Sequence, residues 1–327
     1  MIGLFKQKSP GNIILLLIFG LMVKLPLFLF PKNIKATELD GGLYQWLISV
    51  MPDNNGFLTS LLAFFLLYVQ SLLVNYLVNE FRMTSRQNYL PAMAYLLITS
   101  LMPEWTYLSS AMVASTLVIW MFIKLFSLYN TAVARPHIFN IGLITGISSY
   151  IYFPSASFMI CMLLGIMILK PFRLNEIILF IFGCLTPYYF HAVYLFLNDR
   201  LSLANFLPRI ELRVPEMKSS IWLAAATVLL TVPFLLGGYF IQVHLRKMLI
   251  QIRKNWSIVL LYLLIAFFVP FLNSQQSFYA WVMLMAPFAA FHGSAYFYQT
   301  KNIISYLLFF ITLGYVFFLQ FGTLVWH

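Results

Sequence analysis

The stretch FLTSLLAFFLLYVQSLLVNYLVN, from Phe57 to Asn79, decides how the chain is read. It holds no Asp, Glu, Lys or Arg, and it is longer than the ~20 apolar residues that a helix needs to cross a bilayer. The stretch therefore predicts a transmembrane helix.

Similar stretches continue in both directions. Upstream lies Asn12–Phe30. Downstream follow Tyr89–Met102, Leu108–Leu128, Ile138–Tyr152, Ser155–Leu169, Glu176–Leu197, Ser220–Val243, Trp256–Leu272, Phe278–Tyr298 and Asn302–Trp326. With Phe57–Asn79 this predicts an all-α membrane protein, a polytopic transmembrane helix bundle of about eleven spans. The third, fifth and sixth are short for a hydrocarbon core of ~30 Å, and neighbouring helices would hold them at partial depth. Composition agrees over all 327 residues: 62% are hydrophobic, 9% are charged and the mean hydropathy is +0.87. A soluble domain carries roughly 25% charged residues. The reading is thus one integral membrane domain, residues 1–327, with two longer loops at 31–56 and 198–219. Lys6 and Lys8 precede the apolar run from Ile13 as in a signal peptide, but Lys24, Leu25 and Pro26 stand where a small-residue cleavage site would be, so the segment reads as a retained first span.

The formal charge of +11 does not imply nucleic acid, because the cations sit in short loops between apolar stretches. Eleven spans from a cytoplasmic N-terminus put Lys6, Lys8, Arg82, Arg86, Arg135, Lys170, Arg173, Arg246, Lys247, Arg253, Lys254 and Lys301 inside. Lys32, Lys35, Arg200, Arg209, Arg213 and Lys218 fall outside, so cations favour the inside two to one, as insertion bias requires. Of the acids, only Glu80 and Glu176 fall inside. Trp46, Trp105, Trp222, Trp256, Trp281 and Trp326 lie near span ends, where indoles favour the headgroup layer. Cys161 and Cys184 lie within spans and read as small core residues, not as a metal or disulfide framework.

Chemistry is then expected on the outer face, which gathers most of the acids and both longer loops. In the first loop, Asp40 is placed to cap a helix in which Leu43, Trp46, Leu47 and Val50 form one apolar stripe. That helix would lie on the membrane surface and hold Glu38 and Asp40 at the boundary; Asp40 either caps it or does chemistry. Glu104, in the turn Met102-Pro103-Glu104-Trp105, either is solvated or shares a site with that loop. Arg209 and Arg213, four apart in the second loop, either form a solvated surface or present two guanidinium forks to a phosphate. Lys24, inside the first span, either snorkels outward or faces a polar cavity or an anionic ligand. His191, beside Tyr188 and Tyr189, either lines an outer cavity or packs by hydrogen bonding.

Two resemblances follow from these residues. The runs Asn88-Tyr89-Leu90-Pro91 to Pro103 and Ile138-Phe139-Asn140-Ile141-Gly142 to Tyr152 resemble a polytopic family of Gram-negative bacterial inner-membrane proteins, a family that carries no activity across. More distantly, the layout is similar to the GT-C superfamily of glycosyltransferases, which use polyprenyl-phosphate-linked sugars. Their acids lie in the first outer loop, beside a surface helix, and in the second; a longer loop follows the seventh span. Glu38 and Asp40, Glu104 and the 198–219 loop occupy those places, though a sharp paired-acid motif and a large outer domain are missing. The resemblance implies Asp40 or Glu38 as general base, Glu104 positioning a divalent cation or the acceptor, and Arg209 or Arg213 on the lipid phosphate. The alternatives are a transporter or flippase for a lipid-linked or anionic substrate, and a non-catalytic scaffold with envelope-protein partners.

Overall fold

A computed structural model describes residues 2–37, 40–52, 54–131, 133–200, 220–272, 277–299 and 302–325. Among them every regular element is helical: α1 Ile2–Phe5, α2 Gly11–Val23, α3 Leu25–Leu29, α4 Gly42–Ser49, α5 Gly56–Glu80, α6 Leu90–Ile98, α7 Ser110–Ser127 and α8 Arg135–Ile151. Then come α9 Phe158–Leu169, α10 Leu174–Leu197, α11 Ile221–Leu245, α12 Ile250–Phe268, α13 Ser277–Ala280, α14 Met285–Tyr298 and α15 Asn302–Val325. Among the described residues five segments are long and apolar enough to cross a membrane: α5, α7, α10, α11 and α12 with its continuation to Leu272. A helix satisfies its own backbone, which is what an apolar chain needs in lipid. Helices this long and apolar fit a protein embedded in a membrane.

Local sequence explains several boundaries. Ser109 caps α7 by accepting from the Met112 amide at 3.2 Å, and Ser220 caps α11 by accepting from Trp222. Pro26, Pro91 and Pro136 stand in the first turns of α3, α6 and α8, where the missing N–H costs nothing. The expected first span is broken at Lys24, whose φ of −101° and ψ of 10° separate α2 from α3. The ninth begins earlier than expected, at Ile250, so Arg253 and Lys254 ride on α12 instead of lying in a loop.

Hydrogen bonds join the helix ends in two groups. At one end the Tyr89 amide donates to the Phe5 carbonyl at 2.7 Å, Trp256 Nε1 to Met83 at 3.3 Å and Lys170 Nζ to Thr131 at 3.0 Å. Cations concentrate there, and we call it the basic end. At the other, the loop end, the Gly41 amide donates to Ile151, Trp105 Nε1 to Phe278 at 2.9 Å and Thr59 Oγ1 to Lys32 at 3.1 Å.

The centre is held by helices that touch protein on every side. All nine residues of α6 are buried, as are Met285 through Tyr296 of α14. The two meet where a Cβ on Gly293 would come within 2.9 Å of the Pro91 backbone nitrogen. Elsewhere α8 and α10 touch backbone to backbone: a Cβ on Gly142 would lie 2.3 Å from the Phe180 carbonyl, and one on Gly183 2.4 Å from that of Phe139. Small residues let helices approach this closely when lipid supplies no hydrophobic drive. Gly183→Leu must push α8 and α10 apart. It should lower stability by about 1–3 kcal/mol or more, read as the melting temperature in detergent, while Gly238→Leu, which meets nothing within 4 Å, should leave it unchanged.

Candidate functional site at the loop end

Residues 31–37 form no regular element, and the Asp40 amide donates back to the Thr37 carbonyl at 3.1 Å; Asp40 is 7% exposed. Asp40 does not cap α4; Gly41 holds that position, with φ −67° and ψ 152°. The carboxylate turns toward the bundle instead. Its Oδ2 accepts from the Thr37 amide at 2.8 Å and from Thr37 Oγ1 at 2.9 Å, and its Oδ1 accepts from Ser110 Oγ. Ser110 opens α7, so the charge also sits at the positive end of a helix dipole. Gly41 completes the joint: a Cβ there would lie 2.1 Å from the Tyr150 carbonyl, too close for any other residue. Asp40 thus ties the loop to α7, and its neighbour docks on the end of α8.

Glu104 differs in kind. It lies in the 3-10 turn Pro103–Trp105, which the Trp105–Phe278 hydrogen bond pins to the start of α13. Its Oε2 is buried and has no hydrogen-bond partner among the described residues. Such an atom loses water without replacement, at a cost of ~1–3 kcal/mol or more for a charged group. Aromatic residues surround it. Burial first, then Tyr279 and Glu104, push the Tyr107 phenol above its usual range, and Lys32 Nζ lies 4.3 Å above the Tyr107 ring. Burial, followed by Asp40 and Tyr279, raises the Tyr44 phenol likewise. Tyr279 thus neighbours both phenols, Tyr107 on the Glu104 side and Tyr44 on the Asp40 side. Tyr152, buried with an unpartnered hydroxyl, borders the patch beside Asp40.

The other expected residues fall elsewhere. Lys24 does not snorkel: it is 1% exposed and donates to Thr99 Oγ1 at 3.0 Å inside the bundle. His191 pairs with the Tyr150 hydroxyl at 2.7 Å, and Tyr188 donates to Ser149 Oγ at 2.8 Å, an arrangement that packs α10 on α8. Glu38, Arg209 and Arg213 lie outside the described residues. Among the described residues no three of His, Cys, Asp and Glu converge as metal ligands. Sequence reasoning passed over Gln70 and Tyr95. Tyr95 donates to Gln70 Oε1 at 2.6 Å, and Gln70 Nε2 donates to Thr116 Oγ1 at 2.7 Å and to the Met112 carbonyl at 2.8 Å. Gln70 stood in plain view as an amide inside a long apolar stretch. No family model, curated protein or solved structure matches this chain.

Proposed function

We propose that this membrane protein crosses the inner membrane of a Gram-negative envelope about eleven times from a cytoplasmic N-terminus, and that its loop end transfers sugar from a polyprenyl-phosphate carrier, as GT-C enzymes do. The observation that carries the reading is the buried, unpartnered Oε2 of Glu104 beside Tyr107, Tyr279 and the Lys32 ammonium. A carboxylate oxygen with no partner is free to take a proton. Support also comes from α4, which buries Tyr44 against the bundle but leaves Leu43, Trp46 and Val50 exposed as an uncovered apolar stripe. That suits a helix resting on lipid beside the patch.

In this proposal Glu104 is the general base, and Asp40 is a positioning residue. The acceptor hydroxyl gives its proton to Glu104 Oε2 while its oxygen bonds to the anomeric carbon. The bond from that carbon to the phosphate oxygen breaks, and the electron pair leaves with the lipid phosphate. Lys32, with Arg209 or Arg213, offsets the phosphate charge. No step is assigned to a metal.

Membranes containing the protein should move radiolabel from polyprenyl-phosphate-linked sugars to an acceptor fraction, and no transfer across a panel of such donors would sink the assignment. The topology has its own test. A reporter fused after His327 should be active only outside the cytoplasm, and one at Lys247 only inside; a cytoplasmic His327 would place the Glu104 patch on the wrong side for lipid-linked donors. Transport remains a second reading because Lys24 breaks a membrane helix and is buried against Thr99, and broken helices build sites in transporters. Lys24→Met should spare sugar transfer, whereas loss of uptake or flipping with transfer absent throughout would favour transport.

A further inference from the structure

A second polar cavity lies at the basic end, remote from the Glu104 patch. Its volume is about 480 Å³, within the range of small-molecule sites. Arg135, Lys170, Arg173, Glu176 and Tyr129 line it, so three cations face one carboxylate. Lys254 Nζ stands 5.6 Å from the Tyr129 ring centroid and adds positive potential. Lys170 spends one N–H on the Thr131 carbonyl, leaving two for another acceptor.

Glu176 makes the site specific. Its Oε1 lies 3.8 Å from Arg173 Nη1, a loose pairing with a mostly exposed guanidinium. Its Oε2 is buried with no partner among the described residues, and the residue is only 6% exposed. Were phosphate the whole ligand, a carboxylate here would repel it. Cations and a partnerless carboxylate oxygen around one cavity fit a ligand with a phosphate and an N–H-bearing ammonium a few bonds apart. Apolar residues flank the cavity: Val133, Phe172 and Leu174 are 67%, 58% and 64% exposed. A headgroup in the cavity would leave its acyl chains against those side chains.

We propose that this cavity binds the phosphoethanolamine headgroup of a membrane phospholipid. Arg135, Lys170 and Arg173 hold the phosphate, and the Glu176 carboxylate accepts from the ammonium. The proposal is independent of the transferase reading.

Native mass spectrometry of the purified full-length protein, titrated with phosphatidylethanolamine, phosphatidylcholine or phosphatidylglycerol, tests it. Phosphatidylethanolamine should bind about tenfold more tightly than phosphatidylcholine, whose quaternary ammonium has no N–H to donate. Glu176→Gln should erase most of that preference, and Arg135→Ala should weaken all three lipids. Because Arg135 is exposed, its variant keeps the test open if Glu176→Gln misfolds. Equal binding of the three lipids by wild type would overturn the proposal. So would an unchanged preference in Glu176→Gln, or a thermal shift with inorganic phosphate alone as large as that with the lipid, which would assign the cavity to a soluble anion.

Discussion

Glu104→Gln is expected to lower sugar transfer by about 10²–10⁴-fold, the range a positioned general base supplies. The substitution keeps the shape of the side chain and the Pro103–Trp105 turn, so the protein should still fold and still bind the lipid-linked donor. Stability should even rise a little, because a neutral amide loses less on burial than an unpartnered carboxylate. A drop in activity without a drop in melting temperature separates a catalytic group from a structural one. Full transfer by Glu104→Gln would remove the base from the mechanism. Tyr107→Phe and Lys32→Met should have smaller effects, since each shapes the surroundings of the carboxylate but takes no proton.

Asp40→Ala is expected to act in the opposite sense, mainly on stability. Three donors, the Thr37 amide, Thr37 Oγ1 and Ser110 Oγ, lose their acceptor together. Bonds to a charged group are worth about 1.5–3 kcal/mol each, and they do not add fully, so a loss of about 3 kcal/mol is expected. The loss should appear as a lower melting temperature and as new protease cleavage between residues 31 and 41, because Asp40 fastens that segment to α7. Asp40→Asn keeps a carbonyl oxygen for the two Thr37 donors and should recover much of the stability. It should also retain measurable transfer. Abolished transfer by a stably folded Asp40→Asn would return Asp40 to the role of base that the glycosyltransferase resemblance implies for it.

The different surroundings of these two acids mark where reading the sequence stops working. The apolar stretches located α5, α7, α10 and α11 to within a few residues, because hydropathy responds to the bilayer directly. Hydropathy does not tell lipid from protein, so nothing in Leu90–Ile98 revealed that every one of its side chains meets another helix. The cap assigned to Asp40 relied on spacing along the chain, whereas its real partner, Ser110, arrives from 70 residues away. Lys24 was conspicuous as a cation within a span, but its direction depends on Thr99, on a different helix. Glu104 was visible as a residue; what distinguishes it is an oxygen without a partner, a property only the assembled structure has. The glycines could have been read. Gly142 and Gly146 are four apart, the spacing by which membrane helices meet closely, and Gly146 too would strike α10, with a Cβ 2.4 Å from the Cys184 carbonyl.

The enclosure of α6 sets conditions on how the chain is made. A helix of nine residues is far shorter than the ~20 that a bilayer core accepts as an independent span. Its walls arrive at different times. α5 precedes it and α7 follows at once, but α14, which closes over Pro91 at Gly293, is synthesised some two hundred residues later. Until then one side of α6 faces whatever the growing chain leaves there. The first half of the protein is thus completed by the second, and chains that stop before Met285 would carry an unfinished centre into the membrane.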